Sequence, residues 1–381
     1  MAFGKLGAMG RGFGTFGAHG GLSNNLIRYA PAIDQPIITS GGGAASFPTM
    51  TLHQMKRIGD NTTAVDMDND TKFRYLGMPT GVLVPDAVNT MVVSSLMPGG
   101  TAQARTWDTQ IEMLTSSKFI AMSWTPTVST PLVLIVVNGK WVSAAFNATA
   151  TAGSGSFVML EFPDNRARRV KFIASGGNKI FGFRTELAYP PTRPTGSATV
   201  AAMVGDSLSA GSGTPPTGAT FLDVWPHAVA NILGFDHCCN ASIGGTKWVA
   251  SGAGDVAVSH FGGGRITPLL TTNPTAIVFA GSRNDSNADQ AALDAITSAV
   301  SAAMDAVSTV SKRFVMGTFT SLSQNAAVQA GAAAKSVPFV DMTYGLQAAD
   351  LGGDSIHPTY QGAINLRTRI VPALRAAGCV P

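Results

Sequence analysis

Thr199-Val200-Ala201-Ala202-Met203-Val204-Gly205-Asp206-Ser207-Leu208-Ser209 decides the fold of this chain. A continuous apolar run closed by a turn signal reads as a strand buried on both faces. Gly205-Asp206 then forces a sharp turn. Ser207 falls where the strand gives way to a helix, which lifts its hydroxyl clear of the backbone and sets it at the positive end of the helix dipole. Downstream the same rhythm repeats, with strands expected at His237–Ala241, Ala276–Ala280, Arg313–Gly317 and Pro338–Asp341. Helical stretches fall between and after them, near Phe221–Leu233, Val256–Leu270, Asp289–Ser308, Gln324–Lys335 and Thr359–Ala376. Strand–helix alternation makes a parallel sheet covered on both faces, here a three-layer α/β/α unit. Functional loops in such a sheet gather at the carboxyl ends of the strands.

Upstream the signal is β without helical periodicity. Short strands are expected at Gly81–Val84, Thr90–Leu96, Thr109–Leu114, Lys118–Trp124, Pro131–Val137, Trp141–Ala145, Ser156–Phe162, Arg169–Ala174 and Ile180–Leu187. Asn138-Gly139 is the strongest hairpin cue among them. This pattern implies an antiparallel β-sandwich of jelly-roll type. Tyr189-Pro190-Pro191-Thr192-Arg193-Pro194-Thr195-Gly196 reads as a stiff, extended linker. The expected layout is therefore a glycine-rich N-terminal arm over 1–50, a sandwich over 51–190 and the α/β unit over 197–381.

At 381 residues the chain suits two domains of ordinary size. Charged residues make up only 13% while hydrophobic ones make up 45%, a globular rather than a disordered profile. Residues 1–195 carry 17 Lys and Arg against 11 Asp and Glu, and residues 196–381 carry 9 against 11, so the net +4 comes from the first half. That bias is too dilute for a nucleic-acid footprint. Three cysteines, Cys238, Cys239 and Cys379, cannot build a disulfide framework and read as buried thiols. No apolar run is long enough to span a bilayer, and Met1-Ala2-Phe3-Gly4-Lys5 lacks the apolar core of a signal peptide. A soluble protein without membrane association, cytoplasmic by default, is expected. Gly12, Gly14 and Gly17 spell a formal dinucleotide fingerprint, but no strand precedes it and no helical run follows, so it cannot cradle a phosphate. A flexible tail or an arm docked on a partner fits better. Homo-oligomerisation through this arm or the N-terminal domain stays open.

Four blocks carry the chemistry: Gly205-Asp206-Ser207-Leu208-Ser209, Asn240-Ala241-Ser242-Ile243-Gly244-Gly245-Thr246, Ala280-Gly281-Ser282-Arg283-Asn284-Asp285, and Asp354-Ser355-Ile356-His357-Pro358. A serine hydroxyl is a poor nucleophile until a base takes its proton. A tetrahedral oxyanion needs fixed donors, each worth about 3–4 kcal/mol of transition-state stabilisation. A primary amide such as Asn284 donates without competing as a base, and glycine lets its backbone approach a substrate closely. His227, His237 and His260 have no carboxylate three residues before them and read as structural. Scattered His and Asp show no metal-ligand spacing, so neither a metal nor a cofactor is expected.

In this order the four blocks resemble the SGNH (GDSL) hydrolase family, over about half of the chain. The resemblance implies a flavodoxin-like α/β/α fold with Ser207 as nucleophile, His357 as general base and Asp354 as the carboxylate that orients the imidazole. It further implies the backbone N–H groups of Ser207 and Gly245 and the side-chain amide of Asn284 as oxyanion donors. Gly244 and Gly245 both stand at the second block, and the family spacing favours Gly245. The third block usually reads Gly-x-Asn-Asp. Here Ser282 stands where that glycine would be and Gly281 lies one place earlier, a departure from the family pattern that a local bulge or altered turn could absorb. The Ser…Asp…His order is shared with the α/β-hydrolase elbow, but position 209 is Ser rather than Gly and Asp354 lies only three residues before His357.

The resulting expectation is a serine esterase cleaving short acyl esters, acetyl foremost, with a small acyl ester or an acetylated carbohydrate as substrate. Trp248 would wall the pocket or pack in the core. Trp107, Trp124 and Trp141 read first as sandwich anchors and second as a sugar platform. The alternative is a glycan-binding or virion-associated adhesion module with an accessory esterase domain. The glycine–phenylalanine leader, compositionally similar to leaders of some phage-type structural proteins, motivates it.

Overall fold

The computed structural model describes residues 28–42, 49–54, 70–76, 83–85, 91–93, 109–126, 131–143, 146–174, 179–210, 225–249 and 265–381. Counting along the chain, the antiparallel strands are β1 (Ile37–Gly42), β2 (Met50–His53), β3 (Arg74–Tyr75), β4 (Leu83–Pro85), β5 (Met91–Val93), β6 (Thr109–Thr115) and β7 (Phe119–Thr125). They continue with β8 (Leu132–Val137), β9 (Lys140–Trp141), β10 (Phe146–Asn147), β11 (Ser156–Glu161), β12 (Arg168–Ala174) and β13 (Lys179–Glu186). One sheet runs β1-β11-β7-β13-β5-β4 with β2 also on β13, and the other runs β10-β8-β12-β6-β3 with β9 on β8. They pack face to face, with Phe172 of β12 against Phe183 of β13 at 5.1 Å between ring centroids.

The turn after β8 follows its sequence. Asn138 and Gly139 have φ of 51° and 75°, the paired positive values of a type I′ hairpin turn. The returning strand is shorter than the expected Trp141–Ala145: β9 holds two residues, and β10 resumes the pairing with β8 at Phe146. Residues 37–42 correct the expected arm. Ile37-Ile38-Thr39 begins β1, an edge strand paired with β11 along its whole length, because β-branched residues suit a pleated surface. Tyr189–Gly196 is extended but not loose. Thr192 and Leu114 exchange backbone hydrogen bonds of 2.9 and 2.8 Å, and Arg193 N–H donates to Thr71 at 2.8 Å.

The remaining strands are β14 (Val200–Gly205), β15 (His237–Asn240), β16 (Ala276–Ala280), β17 (Lys312–Met316) and β18 (Phe339–Val340), all parallel in the order β15-β14-β16-β17-β18. This is the flavodoxin-like order, with its switch point between β14 and β16. The helices are α1 (Ser207–Ala210), α2 (Trp225–Leu233), α3 (Ile266–Leu270), α4 (Gln290–Ala306), α5 (Gln324–Ala333) and α6 (Tyr360–Ala376). Alternation along β14 sorts the layers. Val200, Ala202 and Val204 join Ile296 and Val300 of α4 and Val328 of α5, whereas Ala201 and Met203 join α2 and α6.

The α2–α6 layer does not end at the α/β unit. Leu134, Val136, Trp141 and Ile173 point away from the sandwich core and belong to the same buried cluster as Trp225, Phe235 and Cys238. Strands β8 and β12 are therefore buried on both faces, which explains the continuous apolar run of β8 and the Phe172-Ile173-Ala174 end of β12. Polar bonds frame this seam. Gln110 donates to the Cys238 carbonyl at 2.7 Å, and Arg169 bridges Glu112 at 3.1 Å and Asp236 at 2.8 Å. Lys171 is fully buried here and donates to the Asp236 carbonyl at 2.5 Å. Burial pushes its ammonium down to about 8, against the pull of Glu112 and Asp236. Ile173→Ala should cost about 2–5 kcal/mol and shift one cooperative urea transition without splitting it, as read by intrinsic fluorescence and far-UV circular dichroism together. Two separated transitions would contradict a shared core.

Candidate active site

The turn between β14 and α1 depends on a residue without a side chain. A Cβ on Gly205 would stand 2.5 Å from Ser209 Oγ and 2.8 Å from the Ala280 carbonyl oxygen. The first contact is a side chain that could shift; the second is the neighbouring strand, which cannot. Ser207 opens α1, and Asp206 Oδ1 accepts from Leu208 N–H at 2.9 Å, closing the first turn as a capping carboxylate does.

The second block is bonded directly to this elbow, and the third is bonded to the second. The Gly205 carbonyl accepts from Ile243 N–H at 3.0 Å and from Thr246 Oγ1 at 3.0 Å. Asn284 Nδ2 donates to the Thr246 carbonyl at 2.9 Å. A primary amide carries two N–H donors, so one remains to point elsewhere. Gly245 has φ of 77°, with open space where its Cβ would be. It is exposed while Gly244 is half-buried, so Gly245 presents its backbone more openly of the two.

Ser282 takes a glycine's conformation. Its φ is 152°, following a φ of 138° at Gly281, and its side chain is completely buried. Ser282 Oγ donates to Asp285 Oδ2 at 3.2 Å, offsetting part of the backbone cost. An altered turn thus absorbs the departure from the family pattern, and Asn284 still reaches the second block. Asp285, to which the sequence reading gave no role, holds the loop beyond it. It accepts from Trp248 N–H at 3.1 Å and Val249 N–H at 2.9 Å. Its place in the third block was the available signal. Trp248 is 1% exposed, donates from Nε1 to the Gly281 carbonyl at 3.2 Å and packs on Phe279. It is a strut behind the site, not a wall of it. Trp124 and Trp141 are buried too, which leaves no platform on either. Trp107, His260 and the tract containing Gly12, Gly14 and Gly17 lie outside the described residues.

The fourth block arrives on a closed loop. Leu351 bridges Pro358, and Gly352 N–H donates to the His357 carbonyl at 2.8 Å. The base of the loop is fixed by buried Asp350, which accepts from Asn365 Nδ2 at 2.7 Å and Arg369 Nη1 at 2.5 Å, both on α6. Held this way, His357 Nε2 lies 2.9 Å from Ser207 Oγ, and His357 Nδ1 lies 2.6 Å from Asp354 Oδ2. Asp354 also accepts from the backbone N–H of Ile356 at 3.0 Å and of His357 at 2.9 Å. The bond from the His357 ring, followed by these two, holds Asp354 well below the usual carboxylate range. It is therefore an anion wherever the imidazole is in use. The side chains of His357 and Asp354 are 23% and 46% exposed, so water reaches the pair.

Asp206 behaves oppositely. It is fully buried beneath the turn that carries Ser207, and burial pushes its carboxyl up to about 6 despite the bond from Leu208 N–H. Among the described residues its Oδ2 has no hydrogen-bond partner.

No protein-family model matches the sequence, and no curated protein matches it. Solved structures do. The chain is similar to an acetyl xylan esterase (Est2A) from the rumen bacterium Butyrivibrio proteoclasticus, at 12% identity over 86% of this chain and 98% of that one, with a TM-score of 0.56. It is similar to a family two carbohydrate esterase from Clostridium thermocellum in complex with cellohexaose, at 12% identity over 71% and 92%, TM-score 0.53. A salicylyl-acyltransferase, SsfX3, from a tetracycline biosynthetic pathway matches at 12% identity over 84% and 99%, TM-score 0.53. The chain thus shares the fold of these carbohydrate esterase and acyltransferase structures.

A carboxyl whose folded pKa is raised binds its proton more tightly in the folded chain, so its contribution to stability falls as pH rises through the window from about 4 to about 6. Asp206→Asn removes that dependence. Between pH 4 and pH 7 the stability of the variant should rise by about 2–3 kcal/mol relative to wild type, read from urea denaturation at the two pH values. A constant difference would show that Asp206 is not held protonated.

Proposed function

We propose that this chain is a serine esterase that removes short acyl groups, acetyl foremost, from carbohydrate hydroxyls. The observation that supports it is the unbroken path Ser207 Oγ–His357 Nε2, 2.9 Å, and His357 Nδ1–Asp354 Oδ2, 2.6 Å. Both distances are within proton-transfer reach, and the acid is fixed as an anion. Ser207 Oγ attacks the ester carbonyl while its proton passes to His357 Nε2. Asp354 stabilises the imidazolium that forms. The oxyanion is received by the N–H groups of Ser207 and Gly245 and by the second N–H of Asn284. On collapse, His357 returns its proton to the departing alkoxide, leaving an acyl–Ser207 ester. His357 then takes a proton from water, and the resulting attack releases the carboxylic acid and restores Ser207.

The similar structures support the substrate class, since one is an acetyl xylan esterase and another holds cellohexaose. In this reading residues 197–381 form the catalytic unit and 51–190, extended by β1, an accessory sandwich that buttresses α2 and β15. One similar structure is an acyltransferase, in which an alcohol rather than water would take the acyl group. The exposure of His357 and Asp354 favours water, because transfer to another acceptor requires water to be kept out.

Ser207→Ala should lower p-nitrophenyl acetate turnover by about 10³-fold or more with an unchanged circular dichroism spectrum. Retention of most activity would reject the assignment. Across acetyl, butyryl and octanoyl p-nitrophenyl esters, kcat/KM should fall with chain length, and acetylated xylan should release acetate. A preference for octanoyl would move the reading to lipid esters.

A further inference from the structure

The seam between the sandwich and the α/β unit encloses a cavity of about 20 Å³. Its wall includes Lys171 and Ile173 of β12, His227 and Asn231 of α2, and Asp236 and His237 where β15 begins. That volume admits a single water or an ion of similar size and nothing larger.

Two of the groups on this wall are left with unused hydrogen-bonding capacity. Lys171 is 2% exposed, and among the described residues its ammonium makes one hydrogen bond, to the Asp236 carbonyl at 2.5 Å. An ammonium has three N–H donors, so two are left over. His237 is 3% exposed, and among the described residues neither of its ring nitrogens has a hydrogen-bond partner. Burial first, then Lys171 and the other basic groups around it, hold the His237 imidazole well below its ordinary value. It is therefore neutral, with one N–H donor and one acceptor. Orphaned polar groups in an interior are costly, and a partner inside the cavity removes that cost.

The balance of charge says what kind of partner. The carboxylates nearby are committed: Asp236 to Arg169 and Thr199, Glu112 to Arg74 and Arg169. Against those two acids stand Lys171, Arg169 and Arg74. Arg28 adds a further cation at the edge, donating to the carbonyls of Asn231 and Gly139. Positive charge is thus in excess at a buried joint, where an unmatched charge is expensive. Of the groups that Lys171 and His237 leave over, three are donors and one is an acceptor. Water must donate as well as accept, whereas an anion only accepts.

We propose that this cavity is a binding site for one monovalent anion of halide size, chloride in practice, held by Lys171 Nζ and the ring N–H of His237. Lys171 comes from the sandwich and His237 from the α/β unit, so the anion bridges the two and stabilises their joint. Acetate and phosphate are excluded by size.

Crystals of the full chain grown without halide, soaked in sodium bromide and measured at the bromine absorption edge, should show an anomalous peak in the cavity within hydrogen-bond reach of Lys171 Nζ. An anomalous map empty there, with water only in the cavity, would overturn the proposal, and this measurement needs no variant to fold. In solution, replacing methanesulfonate, which is too bulky to enter, by chloride at fixed ionic strength should raise Tm by about 2 °C or more. Lys171→Met keeps the reach of the side chain without its charge and should lose most of that rise. A Tm indifferent to the exchange, or a Lys171→Met protein that keeps the whole rise, would equally overturn it.

Discussion

The carbonyl oxygen of Gly205 accepts hydrogen bonds from Ile243 and Thr246, and the rest of the site depends on that junction. It ties the turn carrying Ser207 to the loop carrying Gly245. Through Asn284 and the Thr246 carbonyl, the same junction extends to the loop after β16. Three segments separated by tens of residues are thereby fixed by bonds between backbone and short polar side chains, which lose little freedom on ordering. The packing that excludes any side chain at Gly205 brings β14 and β16 close enough for this. Switch-point geometry supplies the crevice, and these bonds set its dimensions.

The histidine reaches the crevice by a different route. Among the described residues, its loop makes no hydrogen bond to the parallel strands. It is closed on itself and anchored to α6 through Asp350. Position is thus set by a platform on one side and a stapled loop on the other, and the bond between Ser207 and His357 spans the two. In the proposed esterase reading, such a division holds the oxyanion donors on the platform and the imidazole on the stapled loop.

Much of this was legible in the sequence, for identifiable reasons. The parallel strands announced themselves because both faces are buried and the runs are continuous: Ala276–Ala280 matches its expected bounds residue for residue. Ser207, His357 and Asp354 were legible because a sharp turn and a three-residue spacing are local features. The seam was not. Val136 and Ile173 look the same in sequence whether they face a sandwich core or a neighbouring unit, since period-two alternation says nothing about what covers the second face. Tyr189–Gly196 read correctly as extended, but backbone pairing with Leu114 and Thr71 depends on partners about 80 and 120 residues away. Asp285 stood in a block already singled out. Its burial, and so its role in holding Trp248 and Val249, is a tertiary fact.

The continuity of the buried cluster across β8, β12 and α2 bears on how this architecture can change. Two units that share one core cannot be recombined as interchangeable modules. A truncation at the proline-rich stretch would uncover Leu134, Val136, Trp141 and Ile173 as a contiguous greasy face, an invitation to self-association. Divergence in such a protein is channelled into the loops at the carboxyl ends of the parallel strands, which can vary without disturbing the joint. The scaffold's very inseparability is what leaves its recognition surface at liberty to drift.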